Sequence, residues 1–259
     1  MDRRTFAEVC RVRSISWGTV IVEYMYPHTI RTLARAGFDW LWLDNEHAHH
    51  SYERIQEAIR TAEDVGVITV LRVTNTDYSL IARGLDLGAD AIMVPRVETP
   101  EQVRRIISWA RYPPIGSRGF GIRSSVYGVH PISMAERIQD QNNNRFLFIQ
   151  IESQRGAENL ELMLEAAEGQ IDAAIFGPAD FQMDIGKPDT PEAPELIEAA
   201  CSVAEICEQF GIASGTLCEH PEDAQTWLDR GYNLIACGFD DTFLTNGAVA
   251  ARNALRRFE

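Results

Sequence analysis

Residues 38–50 read FDWLWLDNEHAHH. A short apolar run stops at Asp44, and Asn45, Glu46 and His47 follow at once. Four to eight apolar residues closed by polar groups is the pattern of a strand buried on both faces, as in a parallel sheet. Ionisable groups at the end of such a strand need a reason, because buried charge is costly unless it is paired or used.

The same pattern recurs outward along the chain. Apolar runs lie at SWGTVIV (16–22), FDWLWL (38–43), VITVLRV (67–73), DAIMVP (90–95), RFLFIQIE (145–152), DAAIFG (172–177), IASGTL (212–217) and NLIACG (233–238). Helical spacing fills the gaps: Tyr52, Ile55, Ile59 and Ala62; Ile81, Leu85 and Leu87; Val103, Ile106, Ile107 and Ala110; and, less regularly, Leu160, Leu162, Leu164 and Ala167. Ser51 and Thr99-Pro100-Glu101 read as helix starts, and Gly37, Gly66, Gly88, Gly211 and Gly231 as helix ends. Eight strand–helix units in about 250 residues predict an α/β fold, a (β/α)8 TIM barrel formed by residues 1–259 as one catalytic domain. A doubly wound open sheet is the alternative, but the Gly-rich phosphate turn it would place after its first strand is absent. RYPPIGSRGFGIRSSVYGVHP (111–131) breaks the rhythm as a long Gly- and Pro-punctuated connection, the kind that is usually functional or disordered.

Composition narrows the function. Apolar content of 45% and charged content of 24% are those of a globular chain, and no apolar run reaches the ~20 residues of a membrane span. The N-terminus lacks a secretory pattern, and five scattered cysteines without a CxxC fit a reduced, cytoplasmic protein. A net charge of −14 argues against nucleic acid or an anionic membrane as the main partner. Of the 24 basic residues only Lys187 is lysine, in a loop-like GKPD, so a Schiff-base mechanism has no candidate at a strand end.

In a barrel, the carboxyl ends of the strands meet at one face. There the sequence collects Asp44, Glu46 and His47 after strand two, Arg72 after strand three, Gln150 and Glu152 after strand five, and Gly177, Pro178, Ala179 and Asp180 after strand six. Glu152 and Asp180, on adjacent strands, suit a hard cation such as Mg2+ or Mn2+, with Co2+ a further candidate. His47 is the candidate general base. Arg72 can bind a carboxylate or a developing oxyanion. Asp86, on the helix after strand three, can orient His47. The turn at Gly177, Pro178 and Ala179 can bring backbone N–H groups close to an anion. Asp44 and Glu46 support the cluster. His49 and His50 read as loop residues, since their spacing with His47 fits no usual zinc pattern.

WLWLDNEH, LRVTN, AIMVPRVET, RYPPIGSRGFG, IQIES and IFGPADF together resemble the HpcH/HpaI-type class II pyruvate aldolases, which act on 2-keto-3-deoxy sugar acids and 4-hydroxy-2-oxoheptanedioate. The resemblance runs from about Thr5 to Phe258. It implies a metal-dependent (β/α)8 barrel of the phosphoenolpyruvate/pyruvate-domain type that makes or cleaves a C–C bond through a pyruvate enolate. It assigns metal binding to Glu152 and Asp180, proton acceptance to His47, the raising of that base's strength to Asp86 and transition-state stabilisation to Arg72. Substrate contacts fall on Gln150, on the turn Gly177–Asp180 with the Ala179 backbone, and on Leu217. It also implies a homohexamer in which a C-terminal helix, residues 241–258, is exchanged between neighbours. No nucleotide enters this chemistry; the partners are a small 2-oxo acid and an aldehyde. With no usable lysine, a divalent cation is also the natural electron sink on chemical grounds. The sequence departs from the family pattern at Asn45, where Gly is frequent, and at Ile21, which occupies the place of a pocket-lining Trp. It departs further in the following Glu23–Tyr26 and in the strand-seven loop LCEH. Two other readings keep the same residues: an oxaloacetate-type decarboxylase or decarboxylation-coupled synthase, and a non-enzymatic keto-acid sensor.

Overall fold

A computed structural model describes residues 1–121 and 132–258. Eight strands, β1 (Ser16–Ile21), β2 (Trp40–Asp44), β3 (Ile68–Arg72), β4 (Ala91–Val94), β5 (Phe146–Ile151), β6 (Ala173–Phe176), β7 (Ala213–Cys218) and β8 (Leu234–Phe239), pair in sequence order. All pairs are parallel, and β8 closes on β1 to complete the barrel. Each expected run is a strand, and the boundaries agree to within two residues.

The helices outside are α1 (Arg3–Val12), α2 (Pro27–Ala36), α3 (Tyr52–Val65), α4 (Tyr78–Asp86), α5 (Pro100–Ala110), α6 (Met134–Asn144), α7 (Gln154–Glu158), α8 (Leu160–Ala167), α9 (Pro178–Asp184), α10 (Pro194–Gln209), α11 (Ala224–Asp229) and α12 (Asp240–Leu255). Ser51 caps α3 by accepting from the Arg54 amide, and Thr99 with Gln102 forms a capping box at α5. All five glycines read as helix ends have left-handed φ, between 65° and 102°. On α8 the buried side chains are Leu160, Met163, Leu164 and Ala167, whereas Leu162 is exposed; a 3.6-residue turn puts Met163 rather than Leu162 on the core side. The end of the 111–131 connection, from residue 122, lies outside the described residues.

Strand alternation sorts the core into two shells. Trp40, Trp42, Ile68, Val70, Met93, Phe146, Phe148 and Ile175 fill the barrel, and Phe6 and Cys10 of α1 pack on this inner cluster. Leu41, Leu43, Leu71, Ile92, Ile149 and Phe176 face the helices. A Cβ on Gly18 would lie 2.3 Å from the Trp40 indole, so β1 carries glycine where the large ring needs the space.

The amino end of the barrel is built by repetition. The residue just before each even strand, Asp39, Asp90, Asp172 and Asn233, accepts from the second residue of the preceding odd strand. The donors are the amides of Trp17 (3.0 Å), Thr69 (2.9 Å), Leu147 (2.8 Å) and Ser214 (3.1 Å). Four side-chain staples thus fix the strand register at this face.

Candidate active site

Alternation also decides what stands at the other face. On β2, Trp40 and Trp42 point inward, and Asp44 continues their column. On β3, Ile68 and Val70 are followed in the same way by Arg72, and Asp44 and Arg72 are register partners. An ion pair therefore sits directly on the apolar filling of the barrel. Arg72 binds Asp44 through two hydrogen bonds, Nε to Oδ1 at 2.9 Å and Nη2 to Oδ2 at 2.8 Å, with its guanidinium 4.9 Å from the Trp42 ring centroid. Both Asp44 and Arg72 are buried. This bidentate geometry is the strongest that a guanidinium and a carboxylate adopt. Although burial opposes the charged form, Asp44, Glu46 and Glu152 together hold the Arg72 guanidinium above its ordinary pKa. Three of its five N–H positions face Asp44 and Glu46, which leaves two for a ligand.

Around this pair lie carboxylates that are not fully satisfied. Glu46 Oε2 is 3.0 Å from Arg72 Nη1 but makes no aligned hydrogen bond. Glu152 accepts the Arg96 amide on Oε1 at 2.9 Å, while its buried Oε2 has no partner. Gln150 follows Phe146 and Phe148 on the inner column of β5, and its buried Oε1 is likewise unpartnered. Burial, then Asp180 and Glu46, pushes the Glu152 carboxyl up to about 7. Burial also raises that of Glu46, against the pull of Arg72. Protein interiors leave few polar atoms unpaired, so Glu152 Oε2 and Gln150 Oε1 mark a place for a ligand. Gly177 keeps that place open: a Cβ there would lie 3.0 Å from Glu152 Oε2 and 3.2 Å from Gln150 Nε2.

Asp180 stands in the first turn of α9, where a carboxylate is favoured by the exposed helix amides. Gly177 uses its own N–H on Ile151, and Pro178 has none. The amides of Ala179 and Asp180 belong to the first turn, which has no carbonyl one turn back to receive them. The arrangement fits a hard cation: two carboxylates, one with a buried free oxygen, beside a neutral amide oxygen. Among the described residues no three His, Cys, Asp or Glu side chains form a complete ligand set, so substrate and water would have to fill the remaining positions.

A cavity of about 920 Å³ opens over this cluster. Asp44, His47, Arg72, Gln150, Gly177, Pro178, Ala179, Asp180 and Leu217 line it, with buried Glu152 and partly buried Glu46 beside it. His47 is half-exposed, with Nε2 3.9 Å from Glu46 Oε2. His50 is not a free loop residue, because its Nε2 is 2.7 Å from the Val22 carbonyl oxygen. Lys187, the only lysine, lies in the loop after α9 and pairs with Glu195 in the first turn of α10.

Two sequence expectations need correction. Asp86 does not meet His47 within one chain. It ends α4, which runs back along the outside of the barrel toward the start of β4, and its carboxylate pairs there with Arg118. Ile21 does not line the cavity; strand alternation turns it into the outer shell, and Val20 and Val22 line the cavity instead. Two residues were not anticipated. Asp240 is buried and accepts from the Val22, Glu23 and Tyr24 amides, fixing the loop after β1. Arg96 is a non-glycine residue at φ 54° whose guanidinium reaches Glu46, Glu152 and Asp180. A left-handed residue of this kind costs roughly 1–3 kcal/mol and is retained where its surroundings require it.

The chain matches the family model described as HpcH/HpaI aldolase/citrate lyase over residues 22–247. The chain belongs to the HpcH/HpaI aldolase/citrate lyase family. It is 36% identical over 225 residues to a 2-keto-3-deoxy-L-rhamnonate aldolase of Klebsiella pneumoniae, and 35% identical over 225 residues to that of Salmonella gallinarum. Each alignment spans 86% of this chain and 82% of the relative. Among solved structures, an HpcH/HpaI aldolase from Desulfitobacterium hafniense superposes with a TM-score of 0.87 at 28% identity, covering 95% of this chain and 94% of the other. HpcH/HpaI membership makes the chain a carbon–carbon lyase of the aldolase kind on a TIM barrel. Among the described residues no helix is long and apolar enough to cross a membrane.

Proposed function

We propose that this HpcH/HpaI protein is a divalent-cation-dependent aldolase that makes or cleaves the bond between C3 of a pyruvate-type 2-oxo acid and an aldehyde. The observation that carries this reading is the unpartnered Glu152 Oε2, beside Asp180, Gln150 and Arg72 at one end of the barrel. The names of the relatives favour aldol chemistry over decarboxylation and point to 2-keto-3-deoxy sugar acids as the substrate class.

Glu152 and Asp180 would hold the cation, Mg2+ or Mn2+ before Co2+, with Gln150 beside them. Bound there, the cation supplies a Lewis acid for the charge that gathers on the keto oxygen. Arg72 donates to the same oxygen and needs no proton transfer to do so, since its guanidinium is permanently charged. The Ala179 and Asp180 amides receive the substrate carboxylate. In the cleavage direction His47 accepts the proton of the C4 hydroxyl. The C3–C4 electron pair then passes into the 2-oxo acid as its enolate, the aldehyde departs, and C3 takes up a proton. Condensation reverses these steps.

Asp86 sits on the outer flank of the barrel, so any effect on His47 would come from a neighbouring copy. The exposed Leu244, Val249, Leu255 and Phe258 along and after α12 fit the same assembly, a hexamer with exchanged C-terminal helices.

The test is exchange of pyruvate C3 protons with D2O, followed by NMR, with Mg2+ or Mn2+ and then with EDTA. Cation-dependent exchange is expected. No exchange with any divalent cation would overturn pyruvate as the nucleophile.

A further inference from the structure

β4 ends at Val94, and the chain turns at Pro95 and Arg96 before α5. The left-handed Arg96 backbone aims its N–H at Glu152 Oε1, 2.9 Å away. Its side chain then returns over the same carboxylates. Arg96 Nε lies 3.8 Å from Glu46 Oε1 and 3.9 Å from Glu152 Oε1, and Nη2 lies 3.7 Å from Asp180 Oδ1. All three separations exceed a hydrogen bond, and the side chain is 67% exposed. The guanidinium is therefore attracted to three carboxylates by charge without being locked to any of them. The main chain orients Glu152, while the side chain neutralises it.

We infer that Arg96 is a resident counterion of the Glu152–Asp180 pair, standing over the two carboxylates when they hold no cation and leaving when a divalent cation enters. The inference rests on reading these two residues as the cation ligands. A divalent cation would bind their oxygens at about 2.0–2.6 Å, and a guanidinium within 4 Å of the same oxygens is then repelled. Because the side chain is long, exposed and held by no aligned hydrogen bond, it can swing into solvent while its backbone N–H stays on Glu152 Oε1. Glu152 Oε2 is thereby left as the oxygen available to the cation. Arg96 lowers the affinity for the cation and keeps the buried Glu152 carboxylate of the empty site from standing uncompensated beside Asp180.

The test is direct binding of Mn2+ to the cation-stripped full chain, by calorimetry and by the EPR signal of free Mn2+, without substrate. Arg96→Met removes the charge at similar length and should bind Mn2+ at least tenfold more tightly than the native chain, about 1.4 kcal/mol. Arg96→Lys should stay close to native. Without cation, Arg96→Met should melt at a lower temperature than the native chain, and saturating Mn2+ should close the gap. Arg96→Gly removes the charge and relaxes the left-handed backbone, and gives the same binding comparison if Arg96→Met does not fold. Equal or weaker binding by the charge-removed variant would overturn the role of Arg96 and leave the cation site standing. Failure of both chains to bind Mn2+ would overturn the cation site and the counterion together. Binding that survives Glu152→Gln with Asp180→Asn would do the same.

Discussion

The two ends of this barrel use the same residue types to opposite ends. At the amino end, buried Asp90 accepts from the Thr69 amide at 2.9 Å, the Thr69 hydroxyl at 3.0 Å and the Arg3 guanidinium, with Arg145 at 3.5 Å. Its carboxylate is saturated, and it belongs to a set of four equivalent staples. At the carboxyl end, Glu46, Gln150 and Glu152 are as well enclosed but carry oxygens with no partner. Charge that is fully paired contributes to one folded arrangement. Charge that is buried and left short of hydrogen-bond partners is a cost that a ligand relieves. The difference divides stability from chemistry along the barrel axis, as expected for this fold.

The largest effect should come from the unsatisfied end. Glu152→Gln combined with Asp180→Asn should reduce cation-dependent pyruvate exchange by 10⁴-fold or more, about 5 kcal/mol. The melting temperature without cation should hold or rise, since a strained carboxylate is gone. A variant that loses activity and stability together would break the division. The converse experiment is Asp90→Ala at the paired end. It strips the Thr69 amide and hydroxyl of their acceptor and removes the carboxylate that Arg3 and Arg145 share, and should cost about 3–5 kcal/mol in urea unfolding. Exchange per folded molecule should stay within about twofold of native.

Legibility in the sequence followed the same division. The strands were readable because a parallel strand buried on both faces must be an apolar run, and eight such runs leave little choice of topology. Asp44, Arg72, Gln150 and Glu152 were readable because strand alternation carries an inward column one step past the apolar filling. Asp86 was misplaced because its sequence position near β3 conceals that α4 runs back to the opposite end. Ile21 was misplaced by one step of alternation, which exchanges the cavity for the outer shell. Arg96 gave no signal, since nothing in VPRVET announces a left-handed residue whose side chain reaches three carboxylates, two just beyond the ends of β2 and β5 and one in the first turn of α9. The four staples left a weak trace, an Asp or Asn immediately before every second strand, whose meaning depends on the register of the neighbouring strand.

Titration offers a smaller, signed test. The folded-state value for Glu152, about 7, lies above its ordinary 4.5 because of burial first and neighbouring carboxylates second. The folded state therefore holds the proton more tightly than the unfolded chain. The cost of the ionised form is absent below pH 4.5 and complete above pH 7, so stability without cation should fall as pH rises through that window, by on the order of 3 kcal/mol. Glu152→Gln should abolish that slope. Asp172 at the amino end, raised by burial from 3.8 to about 6, has its own window between those values. Asp172→Asn should remove only that lower slope while keeping the acceptor for Leu147, as Asn233 already does for Ser214. Urea unfolding across pH 4–8 separates the two. Identical slopes in both variants would mean that the two ends are not titrating independently.

The smallest effects distinguish two kinds of glycine. Gly177 has φ −102° and ψ 90°, a conformation open to any residue, so Gly177→Ala introduces no backbone strain. Its methyl would instead press on Glu152 Cβ and Oε2 at 3.0 Å and on Gln150 Nε2 at 3.2 Å. Glu152 Oε1 is tied to the Arg96 amide, so the displaced oxygen is the free one. Exchange should drop about 10- to 100-fold, equivalent to roughly 1.4–2.8 kcal/mol, with stability changed by less than about 1 kcal/mol. Gly37 closes α2 with φ 98° and has nothing near its absent Cβ. Gly37→Ala should cost about 1 kcal/mol of stability through backbone strain, with exchange untouched. A stable, fully active Gly177→Ala would show that the oxygen it crowds has no part in the reaction. Loss of activity in Gly37→Ala would show that register set at the amino end reaches the site, and that the division between the two ends is too sharply drawn.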